Sequence, residues 1–180
     1  FPVRRLESEA IRDGILVASE SLNDTVYGPP VETYLTKFMQ GRGRPAKSGP
    51  LNGNGRRSIY QSVRRNFLEP MMTVFDRPIP FTTFGKRDVT NVPSQSLILM
   101  NDPFVIEQAE IMAQKLLEQK SLSFNEKIEW IYMHAFSRKP TEEEIGNASK
   151  FIKQLEEMKK ANNNDADFDL EIWKEYCHSI

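Results

Sequence analysis

Arg57, Tyr60, Arg64, Arg65, Asp76 and Arg87 are the residues of this sequence whose types and spacing best suit binding chemistry. A guanidinium presents paired donors in a plane. It fits a carboxylate, sulfate or phosphate of a ligand, and it fits a carboxylate of its own protein equally well. Arg56 and Lys86 extend the set, and Tyr60, Phe67 and Phe84 are interleaved with it. Two readings follow. In one, Arg57, Arg64 or Arg87 pairs with an internal acid such as Asp76, Asp88 or Glu9 and ties an irregular section to the helices. In the other, the arginines grip an anionic glycan, sulfated or uronic, and an aromatic ring stacks on a sugar.

No catalytic constellation accompanies these residues, so whether the chain is an enzyme stays open. Cys177 is the single cysteine, so an internal disulfide is impossible. It is adjacent to His178, and neighbours on a helix point apart, which makes a poor nucleophile–base pair. His134 has no Ser or Asp placed as in a triad and reads as a packed or surface imidazole. Two histidines and one cysteine make no zinc spacing, so no metal and no cofactor is expected in this stretch. Asn101-Asp102-Pro103 reads as a helix cap, and Glu142-Glu143-Glu144 as acids on a first helical turn. Met71, Met72 and Met100 read as core.

Charge is uneven along the 180 residues, although the net is −1. Residues 42–87 hold ten Lys/Arg against Glu69 and Asp76, whereas residues 102–175 hold sixteen Asp/Glu against ten Lys/Arg. That asymmetry fits a polyanion site or mutual docking of the two halves. Near-neutrality and the lack of a known reader module argue against nucleic acid. With 39% apolar and 27% charged residues, the composition is that of a soluble globular chain. No apolar run approaches the ~20 residues of a membrane span.

The elements that must position these groups are mostly helical. Leu6, Ala10, Ile11, Ile15, Ala18 and Leu22 recur at helical spacing, predicting a helix over Leu6–Leu22. Gly41 to Gly55 is rich in Gly, Pro and Asn and reads as a flexible loop with solvated charges. Arg57 to Arg65 alternates and reads as extended, with helical spacing as the competing pattern. Pro70 starts a helical turn, and Arg77-Pro78-Ile79-Pro80 forces an extended path. Pro93 opens a short helix, and Asp102 caps the next, with Val105, Ala109, Met112 and Leu116 as its stripe. Ser123-x-x-Glu126 and Thr141-x-x-Glu144 are capping boxes ahead of two more helices. "KKANNNDADFD" is a polar loop, and Leu170–Ile180 a last helix. The expectation is a mainly α fold: about six helices in an irregular bundle, with a basic Gly/Pro-rich loop and one short extended segment. It is expected as one domain over 1–180, with a helical half from 93. The sequence starts within a helical pattern without Met and stops inside an amphipathic helix. It is therefore expected to be the C-terminal piece of a longer chain, with any targeting signal outside it.

Four strings stand together in order: "RRLESEAIRDGIL", "GPLNGNGRRSIYQSVRRNFLEPMMTVFD", "PFTTFGKRDVTNVPSQSLILMNDPFVIEQA" and "HAFSRKPTEEE". Over nearly the whole chain they resemble Planctomycete Specific Domain One, a C-terminal domain of large exported proteins that often carry cytochrome-c-like or lectin-like modules upstream. The resemblance implies a periplasmic or cell-surface setting and upstream domains of the same chain as partners. It implies no reaction. Together with the residues, it favours a non-catalytic interaction or scaffold module; the alternative is binding or processing of anionic polysaccharide.

Overall fold

The computed structural model describes residues 4–83, 85–160 and 168–180. Phe84 and the 161–167 part of the expected polar loop lie outside them. Among the described residues the chain forms seven α-helices: α1 (Ser8–Ala18), α2 (Pro70–Val74), α3 (Pro93–Asn101), α4 (Pro103–Glu118), α5 (Phe124–Phe136), α6 (Glu142–Lys160) and α7 (Phe168–Ser179). Single 3-10 turns stand at Gly53–Gly55 and Ser58–Tyr60. The fold is mainly α. Contacts divide it into two units: one ends at Leu16 and resumes over Leu22–Phe104, the other holds Val17–Ser21 and Val105–Ile180.

The first unit is organised by a buried guanidinium. α1 turns Ser8, Arg12 and Leu16 inward. The apolar stripe read from the sequence is therefore displaced: Leu6 is 60% exposed, whereas Arg12 is 0% exposed. The reason is the set of acceptors waiting for Arg12. Its Nη1 donates to the Arg56 carbonyl at 2.9 Å and to Ser58 Oγ at 3.2 Å, and its Nη2 to the Asn52 carbonyl at 2.7 Å. With the Gln61 amide turned to satisfy both neighbours, its oxygen accepts from Arg12 Nε at 3.1 Å and its nitrogen donates to Glu69 at 3.0 Å. The guanidinium also faces the Phe104 ring at 5.1 Å. A charge this deep is tolerable only when every donor is used.

That network shapes the Gly-rich stretch. At Gly53, φ is +62°, and a Cβ would come within 2.7 Å of Arg12 Nη2, so the loop closes on Arg12 only with glycine there. A Cβ on Gly49 would meet the Glu32 carbonyl at 1.8 Å. Ser58 gives its N–H and its hydroxyl to Asp13, at 2.8 and 2.7 Å, which curls Ser58–Tyr60 into a turn. Extended character is left at Arg56 and Gln61, which make isolated parallel bridges to Asn23 and Val31.

α2 begins at Pro70 and ends in a left-handed Asp76 (φ 61°). The Arg77 N–H returns to the Met72 carbonyl and the Asp76 N–H to Thr73, the double closure usual for a glycine C-cap. Met71 and Met72 are buried, but Met100 is 64% exposed, against the reading as core. α3 points Gln95 inward. Five residues at 3.6 per turn put Met100 about 140° around from it.

The second unit is a conventional helical core. Met112 and Leu116 of α4, Ile128 and Ile131 of α5, Ile152 of α6 and Trp173 of α7 belong to one apolar cluster. Both capping devices form. The Ser123 N–H donates to Glu126 at 2.8 Å. The Thr141 N–H donates to Glu144 at 2.8 Å, and the Glu144 N–H to Thr141 Oγ1 at 3.2 Å. Ser137 ends α5 in the left-handed region, and Arg138 spans the turn to Glu144 at 2.6 and 2.8 Å. No described helix is long and apolar enough to cross a membrane.

Replacing Arg12 by Met leaves Glu69 without its counter-charge and four acceptors without their donor. Urea unfolding should show a loss of about 3–5 kcal/mol; a loss below about 1 kcal/mol would show that the guanidinium does not organise this unit.

Candidate functional site

Of the six residues singled out in the sequence, Arg87 lines the cleft described below, and the others take part in separate contacts or lie exposed. Arg57 Nε lies 3.6 Å from Asp13 and stays largely exposed. Arg64 makes a two-pronged pair with Glu32 at 2.9 Å, also on the surface. Arg65 is exposed. The Tyr60 hydroxyl accepts from the Tyr27 N–H at 2.9 Å, and the Arg56 guanidinium covers its ring at 4.1 Å. Arg56 also donates to the Tyr27 carbonyl at 2.7 Å. Tyr27 is thus held with φ at +65° and its side chain outward, a strained state for a bulky residue that persists only where the surroundings impose it.

Asp76 and Arg87 do share a task, which is to pin the loop between them. At its base, Asp76 accepts from Arg5, from the Thr90 N–H at 2.8 Å and from the Thr90 hydroxyl at 3.0 Å. Buried Gln95 donates to the carbonyls of Val74 at 3.1 Å and Thr90 at 3.2 Å, locking the same junction. Along its flank, Arg87 grips Glu9 of α1 at 2.6 and 2.9 Å and reaches Glu7 at 3.3 Å. The loop over 77–89 is therefore tied at both ends to elements on either side of it.

Between this loop and α1 lies a cleft of about 600 Å³. Arg77, Lys86 and Arg87 supply its cations and Glu9 its carboxylate. Pro78, Ile79, Pro80 and Val63 supply apolar wall. Neither Arg77 nor Lys86 is in an ion pair among the described residues, and the lining sets the cations of Arg77, Lys86 and Arg87 against the one carboxylate of Glu9, with Glu7 also reaching Arg87. Arg77 was not singled out in the sequence. It stood inside a run that read only as an extended proline path, and nothing local marks it. Arg12, Asp13 and Glu32 were missed for a similar reason, since their partners are distant in sequence.

The described residues include no cluster of three His, Cys, Asp or Glu able to hold a metal ion. Burial pushes the Cys177 thiol up to about 12, which leaves it protonated and unreactive at neutral pH. His134 stacks on Trp130 at 3.9 Å, with Nδ1 2.7 Å from the Trp130 carbonyl and Nε2 3.0 Å from Glu20. Both ring nitrogens are engaged.

Two outcomes check this electrostatic picture. The Arg87 guanidinium holds the Glu9 carboxyl down at about 2, against 4.5 ordinarily. A depressed carboxyl stabilises the fold fully above its unfolded value, and the stability is lost as pH falls through the folded one. Between pH 4.5 and 2 the parent chain should lose about 2 kcal/mol more than Glu9→Gln in denaturant titrations; parallel profiles would remove the pair from the loop's support. Native Cys177 should alkylate with iodoacetamide at least about a hundredfold slower than in the urea-unfolded chain, and equal rates would show an accessible thiolate.

A family model described as PSD1, a protein of unknown function (DUF1553), matches residues 1–152. No curated protein and no solved structure matches the chain. The matched span contains the Arg12 network, the pinned loop, the cleft and both capping boxes. The chain belongs to the PSD1 (DUF1553) family of proteins of unknown function.

Proposed function

We propose that this domain is a non-catalytic interaction module that docks other domains of an exported, multidomain protein. The observation that carries the reading is where the polar residues of the family-like strings go. In "GPLNGNGRRSIY", Asn52, Arg56 and Ser58 receive Arg12, and Arg56 also braces Tyr27. In "NVPSQSLILMNDPFV", Gln95 locks the loop base and Asp102 accepts from the Phe104 N–H at 2.9 Å. In "SRKPTEEE", Arg138 and Glu144 build a turn. These polar groups hold irregular backbone in fixed shape.

Such bracing serves what the backbone presents outward. Tyr27 and Phe38 are 81% and 94% exposed. A rigid aromatic loses little freedom on docking and gains a large contact, which is why such residues anchor interfaces. In this reading Arg57, Arg64 and Arg87 are internal ties, and exposed Arg65 is left for a partner.

The polysaccharide reading stands second. Two unpaired cations in the cleft favour it, but the Tyr60 face that would stack on a sugar is already covered by Arg56.

Hydroxyl-radical footprinting of this domain alone and within the full-length natural protein tests the proposal. Tyr27 and Phe38 should oxidise severalfold more slowly in the full-length protein. Identical rates at both residues would overturn docking through this surface.

A further inference from the structure

The cleft beside Arg87 differs from the rest of the arginine-rich section in one respect. Elsewhere each guanidinium of the "GRRSIYQSVRRN" stretch that lies near an acid is matched to it: Arg57 to Asp13, Arg64 to Glu32. Within the cleft only Arg87 is matched, to Glu9. Arg77 and Lys86 project from opposite ends of a loop whose base and flank are both tied. Neither Arg77 nor Lys86 makes an ion pair of its own among the described residues, although Glu69 lies within electrostatic reach of Arg77.

The walls narrow the chemistry of what fits between them. Val63 and Ile79 are aliphatic. Pro78 and Pro80 have no N–H, so they add apolar ring surface and no backbone donor to that edge of the cleft. An extended polypeptide meets both demands, since an acidic side chain satisfies the cations and the next aliphatic side chain covers the wall. A sulfated saccharide satisfies the cations but buries its ring faces best on aromatic rings.

We propose that this cleft seats an acidic segment of a protein partner, with Arg77 and Lys86 holding a carboxylate and Val63 and Ile79 receiving a neighbouring aliphatic side chain. This rests on the interaction-module reading and names the chemistry of the partner. Arg87 keeps its bond to Glu9 and acts as a positioning residue. Association is faster at low salt, because the excess charge attracts the ligand before contact.

The test is fluorescence anisotropy on the whole chain with a labelled peptide of alternating aspartate and leucine, its asparagine counterpart, and a heparin hexasaccharide. The aspartate peptide should bind and the asparagine peptide should not. Arg77→Gln with Lys86→Gln should weaken binding about tenfold, as expected for losing charge-assisted bonds. Both sites are on a surface loop, and thermal melts confirm that the double variant folds; Ile79→Asp is a second, independent probe of the wall. Absence of aspartate-peptide binding would overturn the proposal, as would binding that survives the double variant. Heparin binding that depends on Arg77 and Lys86 without peptide binding would overturn it in favour of a glycan. Footprint protection of Tyr27 and Phe38 that persists alongside a failed peptide assay would remove the cleft proposal and leave the module reading standing.

Discussion

The buried guanidinium of Arg12 is the constraint from which the first unit takes its shape. Removing an arginine from water is expensive, and the side chain cannot neutralise itself by losing its proton. Every group around it is consequently fixed. Burial is the main force that lowers the pKa of Arg12 and raises that of Glu69, with Arg77 adding to the first shift and Asp102 to the second, and the attraction between Arg12 and Glu69 opposes both. Gln61 bridges the two. The carbonyls of Asn52 and Arg56 must point inward, so Gly53 must take a left-handed turn with no side chain. Ser58 then lies against Asp13, and Arg56 emerges where it can cover Tyr60 and hold Tyr27. One internal charge thereby determines the path of a segment that lacks regular secondary structure.

A second fixed point follows the same logic at lower stakes. The loop over 77–89 has little core of its own, and it is held by polar closures instead. Asp76 occupies the αL position after α2 that glycine usually fills, and this aims its carboxylate back at Thr90 and Arg5. The same residue type that could have belonged to an acid site is used for its geometry. The cleft exists because both closures keep the loop off α1 at one side and tied to it at the other.

What was legible in the sequence was what the chain encodes locally. Pro93, Asp102, the Ser123–Glu126 box and the Thr141–Glu144 box act over one to three residues, and each marks a helix start in the structure. The stripes of α4 and α5 were legible because Ala109, Met112, Ile128 and Ile131 are apolar and inward. α1 defeats the same rule, since its inward face carries Ser8 and Arg12, which hydropathy assigns to solvent. The pairing of Arg87 with Glu9 was among those anticipated, but Asp13 and Glu32 as arginine partners were not, because opposite charges 30 or more residues apart leave no periodic trace. The cleft was the least legible. Its cations are separated by a proline run and a loop, and only the closure at Asp76 brings them to one opening.

The family match stops at residue 152, inside α6, whereas the apolar cluster of the second unit continues into Ile172, Trp173 and Tyr176 of α7. The matched segment and the apolar cluster therefore have different ends. A polypeptide trimmed to the matched span would keep Ile128, Ile131 and Ile152 but lose the helix that shields them, turning an interior surface into a sticky exterior one.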